Sequence, residues 1–445
     1  MKIFNSYTNK LETFVPHHPN RISMYVCGPT VYNYIHIGNA RPVVVFDTVR
    51  RYFEYKGYNV QFVSNFTDVD DKIIQAAKEA NVPEMIISEK YIKAFLEDVV
   101  ALNCKTDYLK PKVTEYIPQI IAYIQSLIEL GYAYIIEGDV YFRVSKLAEY
   151  GKLSNRKLDD LIAGSRVEIN EKKESPLDFT LWKKTEEGLH WHTSFSDGRP
   201  GWHTECVAMI DDIFGEEIDI HGGGTDLMFP HHENEIAQSL AKNHHHVARY
   251  WMHNGRLNLE GEKMSKSLGN DIKVKDLNID LKAYRMFLLS THYRSPLNFS
   301  IEALDVFVRE WAKITKTVES LHRTLDLHDS LESNVIVTAG DIMEVIDYFL
   351  TSMDNDFNTP NALTALNQLM RSINQKMRQK LDYAWLNQAL RAINDMLSVL
   401  GLEVPLIRLA DEDRVLINQW EQARVDKDFA LADMLRKKIS EKGLL

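Results

Sequence analysis

The chain has 445 residues, 45% of them hydrophobic, a formal net charge of −11 and three cysteines, Cys27, Cys104 and Cys206. That length exceeds what a single hydrophobic core usually serves, so about two to four domains are expected. No apolar run reaches the roughly 18 residues of a membrane span, the start Met1-Lys-Ile-Phe-Asn-Ser-Tyr carries no signal-peptide pattern, and three scattered cysteines argue against a disulfide framework. The expectation is a cytoplasmic protein with no membrane partner, whose thiols can serve as metal ligands.

In chain order, Met24-Tyr-Val26 reads as the end of an apolar strand, Gly28-Pro29 as a turn, and the stretch from about Gly38 as a helix. His36 and Asn39 therefore stand at a helix N-terminus, where unpaired backbone N–H groups and the helix dipole attract phosphate. Val45, Phe46, Val49, Tyr52 and Phe53 recur at helical spacing until Gly57, after which Tyr58, Val60 and Phe62 alternate as a strand. This βαβ unit predicts a parallel sheet.

From about Tyr116 to Ser175 helical patterning gives way to short strand-like pieces such as Asp139-Val-Tyr-Phe, and the stretch reads as an insertion. Three motif-dense segments follow: Pro176-Leu-Asp-Phe-Thr-Leu-Trp-Lys, Gly198-Arg-Pro-Gly-Trp202-His-Thr-Glu-Cys206, and His221-Gly-Gly-Gly-Thr-Asp226-Leu-Met-Phe-Pro-His231-His-Glu-Asn-Glu235. A lysine segment, Lys263-Met-Ser-Lys266-Ser, comes next. Beyond Ser300, a predicted N-cap, the chain turns almost wholly helical, with Ile301, Leu304, Val308, Trp311 and Ile314 as an apolar stripe. Despite the acidic total, Arg371, Lys376, Arg378, Lys380 and Arg391 face the single acid Asp382, and Arg436, Lys437, Lys438 and Lys442 form a second basic cluster. Either is a solvated helix face or part of a nucleic-acid footprint.

The stretch from Met24 to Asn39, with its His36-Ile-Gly-Asn39, and the downstream Lys263-Met-Ser-Lys266-Ser resemble the two signature motifs of class I aminoacyl-tRNA synthetases. Cys27 beside the first, together with the three motif-dense segments, resembles the cysteinyl-tRNA synthetases within that class. The resemblance implies an α/β fold: a parallel, Rossmann-like nucleotide-binding catalytic domain (1–115 and 176–255) split by a connective insertion (116–175). A lysine-loop connecting domain (256–300), an all-α helical bundle on the tRNA side (301–400) and a short C-terminal anticodon-region module (401–445) complete it. It further implies ATP-dependent activation of L-cysteine and transfer to tRNA(Cys), by a monomer, with Mg²⁺ accompanying ATP. His36, Lys263 and Lys266 are the implied catalytic residues. Thr30, His36, Asn39, Gly222, Gly223, Gly224, Asp226 and Lys266 are the implied ATP-binding set, and Trp202 a wall of the amino-acid pocket.

No adjacent cysteine pair announces a metal site, so one must be assembled from separated pieces. Cys27 ends the strand before the phosphate turn, Cys206 lies one helical turn after Trp202, and His231 stands i, i+4 to Glu235 on a helix expected to start at Pro230. His232, three residues before Glu235, competes with His231 on spacing alone; the family pattern selects Cys27, Cys206, His231 and Glu235 as ligands of one zinc ion. The implied role is selection of the cysteine thiolate, because apolar contacts separate close analogues by only about 1–3 kcal/mol.

Two departures from the family pattern stand out. Asn39 replaces a second histidine, and the sequence stops at Gly443-Leu-Leu, where relatives continue into a Trp-containing segment, so direct base reading by that element is not expected. A cysteine:aminosugar ligase of mycothiol synthesis and an inactive RNA-binding paralogue are the rival readings. The long helical C-terminal region argues against the first, and intact phosphate and metal positions against the second.

Overall fold

The computed structural model describes residues 1–156, 173–259, 262–263 and 271–444. Strand β1 (Lys2–Asn5) pairs antiparallel with β2 (Lys10–Thr13), and β3 (Arg21–Val26) then opens the central sheet. The chain passes through helix α1 (Ile37–Tyr55) into β4 (Asn59–Ser64), parallel to β3. The predicted strand, turn and helix are all present. Val44, Phe46, Val49, Tyr52 and Phe53 bury one long face of α1, and Gly57 at φ +90° makes the reversal after it.

Helices α2 (Asp71–Ala80), α3 (Glu84–Ala101) and α4 (Ile117–Glu129) follow, then β5 (Ala133–Ile136), β6 (Asp139–Phe142), β7 (Phe179–Lys184) and β8 (Gly198–Pro200). These four strands form a separate antiparallel sheet in the order β5-β6-β7-β8. It runs past residue 175, the expected end of the insertion, because β7 pairs with β6 and so carries Pro176-Leu-Asp-Phe-Thr-Leu-Trp-Lys away from the parallel sheet.

Helix α5 (Trp202–Phe214) leads back to β9 (Ile218–Gly224), and α6 (Glu233–Asn243) to β10 (Ala248–Asn254). The central sheet has the order β10-β9-β3-β4 with every pair parallel. Strand order reverses between β3 and β9, which opens a crevice beyond their C-terminal ends, the usual ligand position in a doubly wound sheet. Pro230 does not start α6. It sits in a wide turn, Met228–His232, in which Phe229 is extended, and the regular helix begins at Glu233. Strands β11 (Leu257–Leu259), β12 (Glu262–Lys263) and β13 (Leu297–Phe299) form a small sheet, with helix α7 (Leu281–Leu289) between β12 and β13.

The remaining helices are α8 (Ile301–Leu327), α9 (Gly340–Asp354), α10 (Thr359–Lys376), α11 (Tyr383–Leu400), α12 (Asp411–Val425) and α13 (Phe429–Glu441). Ser300 caps α8 as predicted, its Oγ accepting from Ala303 N at 3.1 Å. Leu304, Trp311 and Ile314 of the expected stripe are buried, whereas Ile301 in the first turn is exposed. The chain divides into two compact units, Met1–Leu304 with Met353–Thr359, and Asp305–Ser352 with Pro360–Leu445. In the first, Asp356 is buried and accepts from Phe4 N (2.8 Å), Tyr293 Oη (2.8 Å) and Arg294 Nε (2.7 Å). In the second, Val318, Leu321, Leu366, Ile373, Leu386 and Ile393 form the apolar interior, and α12 and α13 pack around Ala423, Ala432 and Leu435. No helix among the described residues is long and apolar enough to cross a membrane.

Candidate active site and metal centre

A cavity of about 390 Å³ lies at the crevice, and Cys27, Thr30, His36, Asn39, Trp202, Gly224 and Asp226 all line it. Two further lining residues that sequence patterning did not single out are Asn254, the last residue of β10, and Arg256 just beyond it. Gly28 approaches Asn65 so closely that a Cβ would lie 1.6 Å from Asn65 O, and Gly28 N donates to Asn65 Oδ1 at 2.9 Å. This contact sets the turn between β3 and α1.

Four expected metal ligands converge beside the cavity, and Cys27 is the one of them that lines it. Cys27, just past β3, has its Sγ 3.7 Å from Cys206 Sγ on α5 and 3.7 Å from Glu235 Oε1 on α6, while His231 Nε2 is 2.8 Å from the same oxygen. The donor atoms of Cys27, Cys206, His231 and Glu235 all lie within 4.8 Å of one another. A tetrahedral ion with metal–sulfur bonds of 2.3 Å holds two thiolates about 3.8 Å apart, so the observed sulfur separation of 3.7 Å fits such an ion. Two sulfurs, one imidazole and one carboxylate are also a zinc-type donor set.

Histidines 221 and 232 offer a second combination with Cys27 and Glu235. His221 is engaged at both ring nitrogens, with Nε2 2.5 Å from Glu235 Oε2 and Nδ1 3.0 Å from Tyr25 O; His232 Nδ1 lies 2.8 Å from His253 Nε2, while its Nε2 faces Cys27 Sγ at 3.3 Å. The carboxylate of Glu235 thus presents Oε1 to His231 and Cys27 and Oε2 to His221, in the manner of a ligand held by an outer partner. The wide turn before α6 does not break the predicted His231–Glu235 pairing.

The protonation pattern follows from this packing. Burial, the Cys206 sulfur and Glu235 push the Cys27 thiol well up, whereas the hydrogen bond from Cys27, and after it His231, holds Cys206 below the ordinary thiol value. Burial alone would raise Glu235 and lower His231. Instead His221 and His231 hold Glu235 well down, and Glu235 with Cys206 raises His231 to about 10. Burial lowers His203 and His253 to about 3, keeping both rings neutral.

Trp202 is 41% exposed and stacks on His231 with ring centroids 4.4 Å apart. It is a wall over the metal donors and not a core residue. His36, which also lines the cavity, caps α1: its Nδ1 accepts from Asn39 N at 3.3 Å, and Asn39 Oδ1 accepts from His36 N at 3.3 Å. Asn39 therefore completes a reciprocal capping box. Of the glycine run only Gly224 lines the cavity; a Cβ on Gly222 would meet the Phe46 ring and one on Gly223 would meet Leu227, so those two serve packing.

Lys266 and the Lys263 side chain lie outside the described residues, and Lys263 is placed only by its backbone, opposite Asn258. The chain on both sides of that segment is tied to α1. Ile37 N donates to Ile272 O (2.8 Å) and Val274 N to Ile35 O (3.1 Å). Buried Arg41 donates through Nη1 to Gly255 O (2.7 Å) and Arg256 O (2.8 Å), and through Nη2 to Ser295 O (2.6 Å).

Residues 13–309 match the family model described as the class I tRNA synthetase (C) catalytic domain, and residues 348–404 match the DALR domain. The chain is 46% identical to the cysteine–tRNA ligase of Anoxybacillus flavithermus, covering 100% of this chain and 97% of that protein. It is 45% identical to the cysteine–tRNA ligase of Acholeplasma laidlawii, covering 100% of both. Among solved structures it resembles Mycobacterium tuberculosis methionyl-tRNA synthetase in complex with methionyl-adenylate (TM-score 0.63, 15% identity, 86% of this chain and 90% of that one). It also resembles Thermus thermophilus arginyl-tRNA synthetase (TM-score 0.56, 12% identity, 91% of this chain and 85% of that one).

Proposed function

The chain belongs to the cysteine–tRNA ligases, a family of class I aminoacyl-tRNA synthetases, and from that premise we propose that it activates L-cysteine with ATP and transfers the cysteinyl group to tRNA(Cys). The observation that carries this reading is one cavity lined both by Cys27, a member of a four-donor cluster, and by His36 and Asn39 at the capped N-terminus of α1.

Cys27, Cys206, His231 and Glu235 would hold a zinc ion, with His221 orienting Glu235 from outside. Bound zinc supplies a soft Lewis acid that favours a thiolate over a serine hydroxyl. Trp202 closes the cavity over the side chain. With Nδ1 the acceptor of its own cap, His36 would act on a phosphate oxygen as a donor through Nε2. Asn39 acts through its cap more than as a phosphate donor, so the α-phosphate charge falls to His36, Lys263, Lys266 and the Mg²⁺ that accompanies ATP. Thr30, Gly224 and Asp226 border the nucleotide, with Asp226 on the ribose or the substrate ammonium. Catalysis is positioning and charge stabilisation: the cysteine carboxylate attacks the α-phosphorus, pyrophosphate leaves, and the terminal ribose hydroxyl of tRNA then takes the acyl group.

The helical region 301–400 and the module 401–445 serve the tRNA, 116–175 is the connective insertion and 256–300 carries the lysine loop. The protein works as a cytoplasmic monomer. The test is cysteine-dependent ATP–pyrophosphate exchange, with charging of tRNA(Cys) and with an aminosugar acceptor run in parallel, alongside zinc content. Exchange with cysteine but not serine, followed by tRNA charging, supports the reading. No exchange at saturating cysteine overturns it, and transfer to the aminosugar in place of tRNA replaces it with the rival ligase.

A further inference from the structure

We propose that His17, His18 and Glu216 form a second divalent transition-metal site, built of nitrogen and oxygen donors only and remote from the catalytic cavity. The site starts in local sequence. In His18-Pro19-Asn20-Arg21, Arg21 N donates to His18 O at 3.3 Å and Asn20 takes φ +62°, the type II turn that Pro followed by Asn favours. This brings the stems of His18 and Arg21 side by side. One residue earlier, His17 N donates to Oδ1 of buried Asp219 at 2.5 Å, and the other oxygen of Asp219 holds Ser23 N (2.8 Å) and Oγ (2.9 Å). The histidine pair is thus presented on backbone pinned to the sheet. From the other side, α5 stops at Gly215 in the left-handed region, φ +66°, and the reversal delivers Glu216 to the same place.

The side chains then meet. Arg21 Nη2 holds Glu216 Oε1 at 2.5 Å; His18 Nε2 lies between the two carboxylate oxygens, 2.8 Å from Oε1 and 2.9 Å from Oε2, and His17 Nε2 is 3.5 Å from Oε2. All three donor atoms lie within 4.8 Å of one another. An ion bound to nitrogen and oxygen at 2.0–2.1 Å spaces its tetrahedral donors about 3.3–3.4 Å apart, a shift of a few tenths of an ångström for side chains that are 29–42% exposed. Two imidazoles with one carboxylate suit zinc-like borderline ions and disfavour Mg²⁺ or Ca²⁺. Three protein donors leave a fourth position for water. Arg21 fixes the carboxylate but also lowers its negative charge, so the site is the weaker of the two. Arg21 opens β3 and Cys27 follows its far end. Six residues at about 3.3 Å each therefore separate the sites by roughly 20 Å.

The proposal does not depend on the catalytic metal, and its test separates them. Full-length chain is stripped with chelator and dialysed against graded free Zn²⁺ near neutral pH, with bound metal counted. The wild type takes up two saturable equivalents, the second more weakly; His18→Ala and Glu216→Gln each retain one while charging tRNA at the wild-type rate, which shows that they fold. Cys27→Ser/Cys206→Ser keeps the weak equivalent. Loaded with Co²⁺, that variant shows d–d absorption without a thiolate charge-transfer band. A single saturable equivalent in the wild type, or a weak uptake that persists in His18→Ala and Glu216→Gln, overturns the proposal.

Discussion

Replacing Arg41 with methionine removes a guanidinium that is fully buried and meets only backbone carbonyls: Gly255 O at 2.7 Å, Arg256 O at 2.8 Å, Ser295 O at 2.6 Å and, more distantly, His292 O at 3.4 Å. Burying such a charge is costly, and burial lowers the Arg41 pKa to about 10, so its own bonds are largely offset by lost hydration. Methionine restores the packing but leaves three carbonyls without their donor, each costing about 1–3 kcal/mol. Because these costs overlap, the net loss is taken as about 3–5 kcal/mol, the range for breaking a buried charge network. At about 2 °C per kcal/mol for a large domain, the unfolding midpoint falls by roughly 6–10 °C. The functional consequence is larger. Gly255 and Arg256 immediately precede β11, which leads toward Lys263, and Ile35 and Ile37 hold the chain where it returns at Ile272 and Val274. Loosening one anchor misplaces the lysines relative to the phosphates, and an ångström of misplacement costs about 100-fold in rate. In pyrophosphate exchange, kcat/KM for ATP should fall by about that factor while zinc content stays at the wild-type level. Arg41→Lys should lie between, since one ammonium cannot span all three carbonyls. A variant with unchanged midpoint and unchanged kcat/KM for ATP refutes the reasoning.

Asn39→Ala removes the acceptor of the capping box and should cost about 1 kcal/mol in urea unfolding. Asn39→Asp keeps the acceptor and the stability, but its charge beside the phosphates should raise the KM for ATP at least about tenfold; equal kinetics for the two variants would contradict the assigned geometry. His221→Gln should weaken zinc binding by about 10–100-fold in a competition assay, the usual cost of losing an outer partner, and unaltered affinity would detach His221 from the site. Burial, with Glu97 and Asp276 adding and Lys275 opposing, raises the Asp98 carboxyl to about 6. A carboxyl raised above its unfolded value of about 3.9 loses stability as pH rises through the folded value. Asp98→Asn should therefore gain on the wild type between about pH 4 and 6.5, by about 1 kcal/mol once solvent screening is allowed for. A gap that does not change with pH sinks this assignment.

Much of the catalytic unit is legible in the sequence because it rests on short-range pattern. The strand into Val26, the turn and α1 follow from hydrophobic period and Gly-Pro chemistry, and Ser300 caps α8 as its position predicts. What escapes is set by distant pairing. His221 heads the His221-Gly-Gly-Gly segment with no local sign of its partners, Glu235 Oε2 on α6 and Tyr25 O on the neighbouring strand β3. The start of α6 is misplaced by Pro230 for a local reason: Phe229 is extended, and the wide turn defers the regular helix to Glu233. The segment after Pro176 reads as more of the nucleotide fold, yet its strand extends an antiparallel sheet already begun by β5 and β6. Edge pairing of this kind leaves no periodic trace that distinguishes it from a strand of the central sheet.

The reversal of strand order between β3 and β9 explains why amino-acid selection and phosphate chemistry share one cavity. Cys27 N donates to Gly222 O at 3.2 Å, so the residue that begins the metal cluster and the strand that leads into Asp226 are fixed to one another by backbone. The same β3 end delivers the Gly28 turn and α1, while the helices flanking β9 deliver Cys206 and Glu235. On the proposed reading, a zinc ion at the cluster would contribute to rate as well as to choice, because holding the substrate sulfur would also restrict where its carboxylate can lie. Serine, lacking that hold, is disfavoured twice, in binding and in alignment, and these separate factors multiply.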